Sequence, residues 1–211
     1  MVDEARVWVA CSQQYWNGGD CSLHGPHSRD ENKFALVPDP PPLLKLDIGC
    51  GQNPKEGFDG VDLWEGAKYS FDVRVTPWPF ADQSVGEVYS NQFFEHLSGP
   101  ERIPFMNELW RVMAVGAQAT IITPYWSSMR AVQDPTHAWP PVCDATYLYF
   151  NKKWMQDNKL DHYAIHCDFD FSYGYNLNPG LGPKNEEYRQ FAVANYVNSV
   201  TDLQVVLTRR A

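Results

Sequence analysis

The stretch Leu43–Pro54, LLKLDIGCGQNP, constrains this chain most: an apolar run ends on Asp47 and passes into a turn with glycines at 49 and 51. Such a run, bounded by turn residues, reads as a buried strand over Leu43–Ile48. Glycine behind it admits positive φ and lets another group lie against bare backbone. In an open α/β sheet, ligands bind beyond the carboxyl ends of the strands, which is where this turn falls. Asn53 and Pro54 spoil the G-x-G-x-x-G pattern of a dinucleotide site. No Gly-Lys-Ser/Thr follows, so a phosphate loop is excluded.

A second acid narrows the ligand. Asp62 closes the strand FDGVDL (Phe58–Leu63), 15 residues after Asp47. An acid there can accept hydrogen bonds from both hydroxyls of a ribose, and Asp47 can meet a cationic amino group. Asp72 ends a weaker third strand, YSFDV, where an adenine amino group would lie. Each Asp alone could be a turn or helix cap; together with the glycines they point to a ligand with a ribose and no pyrophosphate. Cys50, within the turn, reads as a small filler.

The chain then alternates. SVGEVYSNQ (Ser84–Gln92) reads as a fourth strand. A helix starts near Pro100, with Ile103, Met106, Leu109, Trp110 and Met113 at spacings of three and four, and Gly116 is expected to end it. Ala119–Thr123 is a fifth strand. Alternate apolar residues from Tyr163 to Tyr175 predict one long half-buried strand. Asn185–Tyr196 is a helix and Asp202–Arg210 a last strand. The alternation predicts an α/β fold with a parallel-rich sheet over residues 43–211. Residues 1–42, rich in turn residues and closed by PDPPP, read as an irregular N-terminal extension.

These residues resemble the class I S-adenosylmethionine-dependent methyltransferases of the small-molecule type, near the methyltransferase-domain-11 group. LDIGCGQNP looks like their first motif and GVDL their ribose-binding strand end. FDV followed by PWPFADQSVGEVYSNQFFEHL, and ELWRVMAVGAQATIITP, are similar to their later segments. The resemblance covers roughly Leu43–Tyr125. It implies a Rossmann-like open twisted sheet of seven strands with flanking helices, in the order 3-2-1-4-5-7-6 with strand 7 antiparallel. It further implies S-adenosyl-L-methionine as cofactor, with Asp47, Gly49, Cys50 and Gly51 at its methionine end. Asp62 and Leu63 would meet the ribose, Asp72 and Val73 the adenine, and Asn91 would border the methyl group. One departure stands out: only nine residues, Gly49–Gly57, separate strands one and two. That is too short for an ordinary helical crossover, so the helix there must be a single turn or absent.

Composition bounds the partners. A net charge of −9 argues against broad electrostatic capture of nucleic acid. No apolar run approaches the roughly 20 residues of a membrane span, and the N-terminus lacks a secretory pattern, so a cytoplasmic location is expected. Five cysteines at irregular spacing make no disulfide framework. Cys11, Cys21, His24 and His27 match no common zinc pattern and are read as incidental, so no metal ligand is assigned.

Methyl transfer from a sulfonium needs alignment and sometimes a base. Bases belong in the loops after strands four and five, where NQFFEHL offers Glu95 and His96, and QDPTHAW offers Asp134 and His137. His137 and His96 are the chosen catalytic candidates, because imidazole works as a base near neutral pH; the structural alternatives are a loop-ordering hydrogen bond and a helix-start residue. No Asn/Asp-Pro-Pro-Tyr/Phe or Pro-Cys pair follows strand four, which favours a small-molecule acceptor methylated on O, N or C. Tyr125, Trp126, Trp139, Tyr147, Tyr149 and Trp154 could wall an apolar acceptor pocket, or simply pack as an accessory layer. Two other classes fit less well: a non-catalytic S-adenosylmethionine-binding protein or sensor, and, more remotely, a nicotinamide-dependent oxidoreductase.

Overall fold

The computed structural model describes residues 41–211. The N-terminal extension, with Cys11, Cys21, His24 and His27, lies outside the described residues except for positions 41 and 42. The strands are β1 (Leu44–Ile48), β2 (Asp59–Asp62), β3 (Tyr69–Ser70), β4 (Val85–Asn91), β5 (Met113–Pro124), β6 (Phe169–Leu177) and β7 (Val200–Arg209). They form one seven-stranded sheet in the order β3-β2-β1-β4-β5-β7-β6. β1, β2, β3, β4 and β5 pair in parallel, whereas β7 runs antiparallel to both β5 and β6. The order and the reversed strand are those expected.

The core lies on one face of this sheet. α1 (Gly99–Val112) begins at a capping box, in which the Ser98 N–H and hydroxyl donate to Glu101 at 2.8 and 2.6 Å. The Ser98 N–H is thereby satisfied locally. The helix then buries Phe105, Met106, Leu109 and Val112 in a cluster with Leu46, Ile48, Val88 and Ile121. The opposite face is polar: Lys45, Glu87, Gln118, Thr208 and Asp170 stand in register across five strands. Among the described residues no helix intervenes between β1 and β4. The short connection after β1 is therefore a turn, as its length requires.

Two local expectations need correction. α1 stops at Val112, and Met113 passes straight into β5 with extended backbone. Gly116, φ +79°, sits instead in a bulge of β5, where the register jumps from Val85 opposite Met113 to Glu87 opposite Gln118. Its left-handed backbone re-aims the strand. β6 starts only at Phe169, not near Tyr163. The stretch before it pairs with a helix side chain: Asn107 of α1 accepts from the amides of His166 and Cys167 at 2.8 and 3.1 Å and donates to the Ala164 carbonyl at 3.0 Å. Alternation there reflects real burial of Cys167 against the core, without a ladder.

Candidate functional site

Two recesses open at the carboxyl ends of the central strands. The first, a cavity of about 210 Å³, is lined by Gly49, Asp62, Leu63, Asp72, Val73 and His96 among others. Gly49 contributes bare backbone to its lining. Gly49, φ +75°, donates its N–H to the Val61 carbonyl at 2.8 Å. A Cβ at this position would stand 2.3 Å from the Phe93 ring. Glycine is thus demanded twice, by the left-handed turn and by the approach of Phe93.

Asp62 holds that turn in place. One carboxylate oxygen accepts from the Gly51 N–H and the other from the Trp64 N–H, both at 2.9 Å. Each oxygen can accept a further hydrogen bond, and Asp62 lines the cavity. Asp72 is engaged by Arg74, whose Nη2 lies 2.7 Å away, and this hydrogen-bonded guanidinium holds the carboxyl below the usual range. Arg74 and Phe93 line the cavity too. The sequence reading assigned neither: Arg74 falls just past FDV, and Phe93, though within NQFFEHL, carries no titratable or hydrogen-bonding group to single it out.

The remaining candidates lie elsewhere. Asp47 is buried under the loop after β1, where it accepts from the Lys55 N–H at 2.7 Å. Burial, more than any neighbour, raises its pKa. Cys50 turns to β2, with its sulfur 2.7 Å from where a Gly60 Cβ would stand, and burial likewise raises its pKa. Neither Asp47, Cys50 nor Gly51 is among the cavity-lining residues, and Asn91 is an exposed residue at the end of β4.

The second recess, about 250 Å³, is lined by Gln92, Glu95, His96, Arg130, Asp134 and His137 with two others. His96 borders both spaces. Long-range hydrogen bonds assemble the recess. The Ala138 N–H donates to the Glu95 carbonyl at 2.9 Å, the Gly99 N–H to the Trp139 carbonyl at 3.2 Å, and Arg102 to the Pro140 carbonyl at 2.8 Å. The loop after β5 is thereby clamped to the segment after β4, and the His96 and His137 rings meet edge to face, centroids 4.9 Å apart. Glu95 is almost fully buried, and burial pushes its carboxyl up to about 7. The aromatic wall considered from sequence does not form here. Tyr125 and Tyr147 are buried, Trp126, Trp139 and Tyr149 are exposed, and none of them, nor Trp154, lines either recess. The second recess is polar.

No protein-family model matches the chain, and no curated protein matches it. Solved structures do share its fold. An S-adenosylmethionine-dependent methyltransferase from Archaeoglobus fulgidus aligns over 80% of this chain and 87% of its own, with a TM-score of 0.55 and 17% identity. The chain has the class I methyltransferase fold. The YcgJ protein of Bacillus subtilis aligns less closely, with a TM-score of 0.48 and 12% identity over 81% of this chain and 93% of its own. A class I methyltransferase fold places both recesses at the strand ends, where sheets of this type take their ligands. Among the described residues, no helix is long and apolar enough to cross a membrane.

Proposed function

We propose that the protein is an S-adenosylmethionine-dependent methyltransferase acting on a polar small-molecule acceptor. The observation that carries this reading is the pair of recesses meeting at His96, one edged by a glycine turn, by Asp62 at the end of β2 and by Asp72 two residues past β3, the other by ionisable side chains. In the first, S-adenosylmethionine lies across the tips of β1 and β2. Asp62 takes the ribose hydroxyls on the lone pairs its backbone bonds leave free, and Gly49 offers bare backbone to the methionine end. Asp72, Val73 and Leu63 border the adenosine. Asp47, Cys50 and Gly51 act one layer back, shaping the turn, and Asn91 closes the strand beneath the methyl group.

In the second recess the acceptor meets His96 and His137, next to the methyl group. Methyl transfer is an in-line displacement, so the protein's chief contribution is alignment of nucleophile, methyl carbon and sulfur. A polar wall favours an acceptor rich in hydrogen-bonding groups over an apolar one. Calorimetric titration of S-adenosylhomocysteine into the folded chain tests the cofactor half: one site is expected, and no heat with no thermal protection overturns it. A screen of hydroxyl, amine and carbon acceptors, read as acceptor-dependent release of S-adenosylhomocysteine, tests the reaction. Cofactor binding without release for any acceptor would leave a binding protein.

A further inference from the structure

The polar recess holds two imidazoles and a carboxylate, from Glu95, His96 and His137, with one donor atom of each within 4.8 Å of the others. Glu95 is only 4% exposed, and neither carboxylate oxygen has a hydrogen-bond partner among the described residues. Burying a carboxylate unmet is costly, so such a group either keeps its proton or meets a cation. Two cations lie nearby: Arg130 stands 3.4 Å from Asp202 and 3.3 Å from Gln92, and Arg102 donates through Nη1 to the Pro140 carbonyl while its buried Nε and Nη2 have no hydrogen-bond partner among the described residues. Neither forms an ion pair with Glu95.

Both histidines have their inner nitrogen committed. His137 Nδ1 lies 3.2 Å from the Ala131 carbonyl, which can only accept, so Nδ1 carries the proton and Nε2 keeps its lone pair. His96 Nδ1 lies 3.1 Å from Thr136 Oγ1 and 3.4 Å from the Thr136 carbonyl. Thr136 Oγ1 donates to Asp134 at 2.7 Å, so it too can only accept from His96. Fixing one ring nitrogen by a hydrogen bond to carbonyl or hydroxyl, with the other left free, is the outer-shell arrangement of metal-ligating histidines.

We infer that Glu95, His96 and His137 bind a divalent first-row transition-metal ion, the histidines through Nε2, and that the ion holds the acceptor's oxygen beside the donor methyl group. Two imidazoles select such ions over Mg²⁺ and Ca²⁺, which prefer oxygen ligands. Donors at about 2.0–2.2 Å from one ion stand roughly 3–3.5 Å apart, within the 4.8 Å that bounds this trio. The Ala138–Glu95 hydrogen bond keeps the two segments together around such an ion. The role assigned to the ion rests on the proposed methyl transfer. There the acceptor hydroxyl releases its proton to solvent, an O–CH₃ bond forms as the S–CH₃ bond breaks, and the electron pair leaves on sulfur as S-adenosylhomocysteine. Three protein ligands leave coordination positions open for that oxygen.

The test uses the full-length chain carrying Cys11→Ser, Cys21→Ser, His24→Gln and His27→Gln, so that N-terminal thiols and imidazoles cannot take the ion. Titration with Co²⁺ is expected to show one site without thiolate charge-transfer absorption, and Mg²⁺ is expected to bind at least about 10-fold more weakly. Glu95→Gln and His137→Ala are each expected to weaken Co²⁺ by about 10-fold or more, with S-adenosylhomocysteine affinity as the folding control. Anomalous scattering from a Co²⁺-soaked crystal, expected to peak between the three side chains, needs no variant. Absence of that peak, Mg²⁺ binding as tightly, or Co²⁺ affinity unchanged in both variants would overturn the site. Failure of S-adenosylhomocysteine to bind the parent chain would overturn the cofactor reading alone, since ion binding is read separately.

Discussion

The two recesses share His96 and differ in almost everything else. The strand-tip cavity is built where the sheet ends: Gly49 is bonded to Val61, Gly51 to Asp62, and the acids are the last residues of their strands or close behind. Its geometry is inherited from the ladder. The polar recess is built from two loop segments that meet only through contacts such as Ala138 to Glu95. The first therefore couples binding to folding, whereas the second can be altered with little effect on the fold. That difference sets what substitutions should do.

The largest effect is expected at Gly49. Alanine there must hold φ near +75° and push its Cβ into Phe93, whose ring already stands 2.3 Å from that point. Left-handed backbone and overpacking together cost about 2–4 kcal/mol. Thermal melts should drop, and S-adenosylhomocysteine affinity should fall with them. A stable Gly49→Ala protein with intact cofactor affinity would break the comparison at its first term.

His137→Ala tests the other side. Turnover should fall by about 100-fold, because the ion that His137 helps to hold no longer positions the acceptor. Melting temperature and S-adenosylhomocysteine affinity should hardly move, because the loop keeps its backbone bonds to Glu95 and Gly99. A melt lowered as far as that of Gly49→Ala would show the recess to be part of the fold's foundation. Between these lies Asp62→Ala, which removes the ribose partner and the Gly51 tether together. Cofactor affinity should weaken by about 1–3 kcal/mol, measured by calorimetry, with Co²⁺ affinity unchanged.

What could be read from sequence follows the same division. The strand after Pro42, the glycine turn and the acids at 62 and 72 are local patterns, and the geometry they specify is local too. Even the missing helix after β1 could be read, because nine residues cannot span a crossover. Gly116 misled because a left-handed glycine serves a bulge as well as a helix end. The run from Tyr163 misled because burial alternates whether the partner is a strand or, as here, Asn107 on a helix. The polar recess was only half legible. Its histidines stand in the expected loops, but the burial of Glu95 and the placing of Trp139 accompany contacts about 40 residues apart in sequence. No local pattern encodes those.

The smallest effect sharpens the division within the strand-tip side itself. Asp47 is buried and its carboxyl is raised above the ordinary value, chiefly by that burial, although the Lys55 N–H and Lys55 charge oppose the shift. An acid whose folded pKa lies above its unfolded one opposes folding once ionised. The penalty is absent below the unfolded value, grows as pH rises through the folded one, and is then constant. Asn in its place still accepts the Lys55 N–H and carries no charge. Asp47→Asn should therefore melt slightly higher than the parent at neutral pH, and the advantage should vanish as the pH falls toward 4, the ordinary range of the carboxyl. If Asp47 also serves the cofactor's amino group through the turn, the same variant should bind S-adenosylhomocysteine more weakly at neutral pH, trading affinity for stability. Melts that coincide at every pH would mean that Lys55 already neutralises the acid. The turn would then owe its shape to glycine and Asp62 alone.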